Sequence, residues 1–223
     1  MPLIPYKIET LYQRHPFSNW LIIAACIAAY AAQAMEAIPE NILAAMVLQD
    51  WNPVGLAGHI FLHADLLHLL GNMLFLWVFG NAICSNTSNF IYPILFILLG
   101  VTAAQIHLLM DGSPAVGASG AINGIIGLTL AMYPINRVHV FWILGFRGGD
   151  TDFPVWGLAT FWFVFDLMGV VLSSEGVAYW AHIGGLIGGI GMGLIALHFK
   201  WVELTEFDNR SLLQILKREH PNH

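Results

Sequence analysis

Ala115-Val116-Gly117-Ala118-Ser119-Gly120-Ala121-Ile122-Asn123-Gly124 places a serine among small residues where an apolar helix begins. The apolar run goes on to Met132 and stops before Pro134, because proline lacks the N–H that a helix interior needs. The predicted helix is about 14 residues, or about 21 Å at 1.5 Å per residue. A bilayer core is about 30 Å thick. If the segment lies in a membrane, it cannot reach both surfaces. Ser119 would then sit on the order of 10 Å below one face, in a water-filled hollow. A hydroxyl there, among N–H groups at a helix start, suits a site where an oxyanion forms. An N-cap serine flanked by glycines for packing is the plainer reading of the same residues.

Composition favours the membrane. The 223 residues are 57% hydrophobic and 10% charged, and mean hydropathy is +0.69. Soluble domains carry about 25% charged residues. A net charge of −6 argues against nucleic acid as a partner. The region before Trp20 has Lys7, Glu9 and Arg14 and no early apolar core, so no cleaved signal is expected. Cys26 and Cys84 lie in different apolar segments, and no disulfide is expected between them.

Six apolar segments follow: Trp20–Met35, Phe61–Ile83, Phe90–Leu109, Ser119–Tyr133, Val155–Val171 and Ala178–Phe199. The expected fold is an all-α membrane protein, a six-transmembrane-helix bundle. Residues 1–19 form a short cytoplasmic segment, 20–199 the helical domain and 200–223 a cytoplasmic tail with a short helix. The 25 residues from Glu36 to Ile60 are too long for a turn and suggest a partly embedded first outer loop. Lys7, Arg14, Arg137, Arg147, Lys200, Arg210, Lys217 and Arg218 are all eight of the basic residues. They fall before segment one, between segments four and five, and after segment six. That one-sidedness is the positive-inside pattern. Both termini are then cytoplasmic, and the loop from Asp111 to Val116 faces outside.

Segment six reads Tyr179-Trp180-Ala181-His182-Ile183-Gly184-Gly185 and also enters from outside. His182 lies about four residues in, roughly 6 Å along the axis, close to the depth of Ser119. Gly185/Gly189 and Gly120/Gly124 are small-xxx-small pairs that let two helix backbones approach closely. Segment two opens with His59, His63 and His68, and Asn72 shares a helix face with His68 at i, i+4. Both can donate a hydrogen bond from a fixed position. A metal site from His59, His63 and His68 is the competing reading, weakened because His63 and His68 splay around the helix. Asp65 and Asp166 sit near outer ends of spans, where capping or loop anchoring is expected. No carboxylate is placed to orient His182, so a Ser-His dyad is expected.

Gly117-Ala118-Ser119-Gly120, Ala181-His182-Ile183-Gly184-Gly185 and His63-x4-His68-x3-Asn72 together resemble the three signatures of the rhomboid intramembrane serine proteases. The resemblance covers roughly Gly58 to Ala196. It implies Ser119 as nucleophile and His182 as general base. It implies an oxyanion hole of His68, Asn72 and the Ser119 backbone N–H, with His63 supporting the site through buried water or backbone contacts. Phe165-Asp166-Leu167 resembles the end of the family's fifth helix, thought to help gate substrate. The chain departs from the pattern at Asn52, where Arg often follows Trp, at Cys84, where Glu is common, and at Asn123, where an aromatic often packs under the histidine. Asn123, one turn from Ser119, is therefore expected to touch or hydrogen-bond His182, directly or through water, with Gly117 supporting the nucleophile's loop.

The implied activity is an endopeptidase that cuts transmembrane or juxtamembrane segments of membrane proteins and needs no cofactor. Its partners are transmembrane substrates and the lipid bilayer. The implied location is multi-pass, in a bacterial-type inner or plasma membrane. The alternatives are a non-catalytic rhomboid-like binder of transmembrane helices, or a metal or small-solute carrier built on the histidines.

Overall fold

The computed structural model describes residues 3–145, 147–202, 204, 208 and 210–218. Part of the expected C-terminal tail (203, 205–207, 209 and 219–223) lies outside them. Strand β1 (Leu3–Ile8) precedes α1 (Phe17–Ala34), and the long connection after α1 holds α2 (Glu40–Met46), α3 (Pro53–Gly58) and a 3-10 turn, His59–Phe61. Helix α4 (Leu66–Phe75) continues through a π turn, Leu76–Gly80, into α5 (Asn81–Asn86). Helices α6 (Ile91–Met110) and α7 (Ser119–Met132) follow, then strands β2 (Arg137–Leu144) and β3 (Arg147–Pro154), helices α8 (Val155–Val171) and α9 (Tyr179–His198), and the short α10 (Leu212–Leu216).

The chain is mostly helical but not all-α. β1, β2 and β3 form one antiparallel sheet with β2 in the middle, in a register that pairs Ile8 with Val138 and Leu144 with Arg147. Arg137–Leu144 is rich in β-branched and aromatic residues, which suit a half-buried pleated surface. Val138 and Val140 are fully buried beneath it. Arg137 pairs with Asp152 at 2.7 Å, and His139 with Glu9 at 2.9 Å. The stretch between α7 and α8 holds two basic residues, Arg137 and Arg147, and Arg137–Leu144 is too short to span, so its alternation was hidden inside what read as a charged loop.

Four helical stretches are long and apolar enough to cross a membrane: Phe17–Ala34, Leu66–Asn86, Ile91–Met110 and Tyr179–His198. Helices α7 and α8 are apolar but shorter, at 14 and 17 residues. Large apolar side chains face outward on these helices, among them Leu21, Ile94, Val164 and Ile187. Exposed apolar surface on that scale marks contact with something other than water.

Helix α7 is the centre. All its residues except Ser119, Asn123 and Leu130 are buried, as expected for a helix that is apolar all round. It packs on α9 through glycines, where a methyl added at Gly185 would overlap the carbonyl oxygen of Gly120. On its other side a Cβ at Gly124 would lie 2.7 Å from the Leu99 Cβ of α6.

The π turn frees a carbonyl that must be satisfied in the interior. Asn19 of α1 donates through Nδ2 to the Leu76 carbonyl at 2.9 Å and to Asn81 Oδ1 at 2.8 Å. Its Oδ1 accepts from the Tyr92 hydroxyl at 2.7 Å. This buried polar knot ties α1, the α4–α5 helix and α6 together.

Candidate active site

The loop into Ser119 is held from both sides. Leu48 and Ala115 exchange backbone hydrogen bonds at 3.0 and 2.8 Å, and the Gly117 N–H donates to the His59 carbonyl at 2.9 Å. Gly117 has φ +126° and lies under the His68 ring, where a Cβ would be 2.7 Å from His68 Nε2. Only glycine fits both the backbone and the space. Ser119 is then the first residue of α7, where backbone N–H groups have no intrahelical acceptor.

His182 Nε2 lies 2.9 Å from Ser119 Oγ. The other ring nitrogen, Nδ1, lies 2.8 Å from Asp166 Oδ1 on α8. A carboxylate only accepts, so Nδ1 carries the ring proton and donates. In the neutral ring Nε2 is then an acceptor, and the Ser119 hydroxyl donates to it. The His182 and Asp166 side chains are only 15% and 14% exposed. The expectation that no carboxylate is placed to orient His182 is thus corrected.

Asp65 does cap a helix: its Oδ1 accepts from the His68 N–H at 2.8 Å and starts α4. That cap fixes the first turn carrying His68. The Ala64 N–H reaches His68 Nδ1 at 3.4 Å, which leaves Nε2 as the N–H. Asn72 Nδ2 is buried with no partner among the described residues. A Cβ at Gly117 would lie 3.6 Å from that nitrogen and 2.7 Å from His68 Nε2. Two side-chain donors therefore converge beside the serine.

His63 is buried, its two ring nitrogens unpaired among the described residues. Its ring meets His68 edge-on at 5.2 Å. Ring packing against His68 is one contact that it gives the site. Asn123 lies on the Ser119 face and lines the same cleft, but its Nδ2 donates to the Ser119 carbonyl at 3.0 Å. Its Nδ2 pairs along its own helix, and the side chain bonded to His182 Nδ1 is that of Asp166.

The cleft has a volume of about 520 Å³ and is lined by Ser119, His182, His68, Asn72, Asn123 and Asp166, with Phe75, Trp162 and Phe165 on its apolar walls. Among the described residues no three His, Cys, Asp or Glu side chains are grouped to hold a metal ion. His59 Nδ1 donates to the Gly55 carbonyl at 2.9 Å, and burial lowers its pKa below the ordinary histidine value despite that bond. It is a packing group of the connection between α1 and α4.

A model of the rhomboid domain family matches residues 50–199. The chain belongs to the rhomboid family. It is similar to the rhomboid protease GlpG of Salmonella paratyphi A, of Salmonella typhi and of Salmonella newport, at 24% identity over 201 residues in each case. Those alignments cover 84% of this chain and 66% of each relative, so the chain spans just under two thirds of their length. The rhomboid match encloses Ser119, His182, His68, Asn72 and Asp166, while β1, α1 and α2 lie before it.

Sequence reasoning missed Asp166 in this rhomboid, although a signal was present. It is the only ionisable residue among the 17 of α8. A lone carboxylate in an apolar helix marks a functional partner more often than a cap.

Proposed function

We propose that this rhomboid is an intramembrane serine endopeptidase that cuts transmembrane or juxtamembrane segments of other membrane proteins. The observation that carries the reading is the 2.9 Å contact between His182 Nε2 and Ser119 Oγ, made by residues on α9 and α7, the two helices whose glycines pack backbone to backbone. The proposal takes all six apolar helices as spans, with the β-sheet end on the cytoplasmic side and the cleft opening outward. A helix of 14 residues reaches only about 21 Å, so its start lies within the membrane and needs the hollow that the cleft supplies.

In this reading His182 Nε2 accepts the Ser119 proton as Oγ attacks the scissile carbonyl. The negative charge moves to the carbonyl oxygen, which Asn72 Nδ2, His68 Nε2–H and the Ser119 N–H are positioned to hold. As the C–N bond breaks, His182 returns that proton to the leaving nitrogen. Water then attacks the acyl ester with His182 again as base, and Ser119 is regenerated. The substrate must give up local helical hydrogen bonds before attack, so segments rich in glycine, proline or small residues are favoured.

The test uses purified protein in detergent with a fluorophosphonate probe and a transmembrane reporter substrate. Wild type is expected to be labelled on Ser119 and to cleave the reporter. Ser119→Ala is expected to do neither while unfolding at the same temperature. Cleavage by folded Ser119→Ala would overturn the reading.

A further inference from the structure

Asp166 presents a carboxylate to the cleft from α8, whose other 16 residues are uncharged. Moving a carboxylate out of water costs several kcal/mol unless it is paired. No lysine or arginine can serve, because all eight lie in the sheet, before α1 or after α9, away from the Ser119 end of α7. The group that meets it is the Nδ1–H of His182, at 2.8 Å.

The contact is held by packing as well. Gly169 is one turn along α8 from Asp166, and Tyr179 one turn before His182 on α9. The Tyr179 ring fills the space where Gly169 would carry a side chain, so that any Cβ there would collide with it. Tyr179 also meets the His182 ring edge-on, at 6.4 Å and 80°. The two helices are therefore set in register one turn away from the Asp166–His182 pair.

We propose that Asp166 is the positioning residue of a Ser119–His182–Asp166 triad, holding His182 in the Nδ1–H tautomer and stabilising the imidazolium formed during attack. This rests on the protease reading above and replaces the two-residue arrangement expected from the motifs. Asp166 touches no reacting atom. When Ser119 gives its proton to Nε2, the ring becomes cationic and faces a carboxylate. The Nδ1 proton stays on the ring and Asp166 stays ionised. The carboxylate comes from α8, the helix whose Trp162 and Phe165 wall the cleft. The position of that helix thus bears directly on the orientation of the base.

The experiment compares wild type, Asp166→Asn, Asp166→Glu and Ser119→Ala in one detergent, by steady-state cleavage of the reporter, by unfolding temperature and by ¹⁵N NMR of histidine-labelled protein. The His182 signals are assigned by their loss in His182→Ala. In wild type the neutral His182 ring is expected as the Nδ1–H tautomer, a readout that needs no Asp166 variant to fold. Asp166→Asn is expected to lose that tautomer and to lower kcat by about 10²–10⁴-fold, with KM changed far less and the unfolding temperature kept. Asp166→Glu should recover part of kcat, because it restores a carboxylate. An Nε2–H tautomer in wild type would overturn the proposal. So would an Asp166→Asn enzyme with kcat within about threefold of wild type, a change too small for a lost orienting group. Cleavage by folded Ser119→Ala would instead remove the protease reading beneath it. A dead Ser119→Ala with an undiminished Asp166→Asn removes the triad alone.

Discussion

Gly189 of α9 lies directly against the backbone of Gly124 in α7, so closely that a methyl at Gly189 would overlap the Gly124 carbonyl oxygen. The obstacle is backbone, which cannot swing aside as a flexible side chain could. The same helix pair carries Ser119 and His182 one to two turns toward its N-terminal ends, and their hydrogen bond depends on that approach.

Gly189→Ala is therefore expected to push α9 off α7. Forcing an extra carbon into a filled contact costs about 1–3 kcal/mol, and a base displaced by about 1 Å can lose about 10²-fold in rate. Gly191, two residues on, has nothing within 4 Å of the corresponding position. Gly191→Ala is the matched control, expected to keep activity and to gain up to about 1 kcal/mol from the better helix former. Unfolding temperature and reporter cleavage measured on both variants check the pair; equal behaviour would contradict the packing argument.

The proposed oxyanion donors should fail by degrees. Losing one such donor costs about 10²–10³-fold in kcat, so Asn72→Ala is expected there, with His68 and the Ser119 N–H still in place. His68→Ala should cost more, because the ring also fills the space above Gly117 and packs on His63 at 5.2 Å. Asn72→Ala as inactive as Ser119→Ala, with stability unchanged, would mean that Asn72 does more than donate one bond.

The residues also mark how far a sequence can be read. Helix α7 runs Ser119–Met132 and α8 Val155–Val171, as the apolar runs predict, with Pro134 marking the stop of α7. The glycine contact of α7 with α9 follows from small-residue spacing. The sheet did not follow, because β1 and β2 are separated by more than a hundred residues and Arg137–Leu144 carries charge at one end. Asn123 was placed on the correct face, yet spacing cannot say that the Ser119 carbonyl competes for its amide. Asp166 shows the same limit. Its depth in α8 was legible, and its partner on another helix was not.

Asn19 supplies a stability test away from the cleft. Asn19→Ala leaves the Leu76 carbonyl, the Asn81 amide and the Tyr92 hydroxyl without the bonds that Asn19 makes. Each buried group left unpaired costs about 1–3 kcal/mol. The variant is expected to unfold at a markedly lower temperature while cleavage per folded molecule is unchanged. Asn19 lies before the matched family region of residues 50–199, so a full loss of stability here would also show that α1 is integral to the domain.

The basic residues make orientation a testable prediction. Lys7, Arg137 and Arg147 lie one on each strand of the sheet, joined to the end of α7 that is opposite Ser119. The loop with Ser113 leads into the Ser119 end. Lysine and arginine near span ends are retained on the cytoplasmic side, so the sheet should be inside and the Ser113 loop outside. Native Cys26 and Cys84 are fully buried and give little background to a thiol reagent. Both Ser113 and Asp150 are exposed, so each can report its side of the membrane as a single substitution. Intact cells treated with a membrane-impermeant maleimide are expected to label Ser113→Cys, and to label Asp150→Cys only after permeabilisation. Labelling of both in intact cells would put the sheet and the serine on one side of the membrane, and with it the six-span reading would fail.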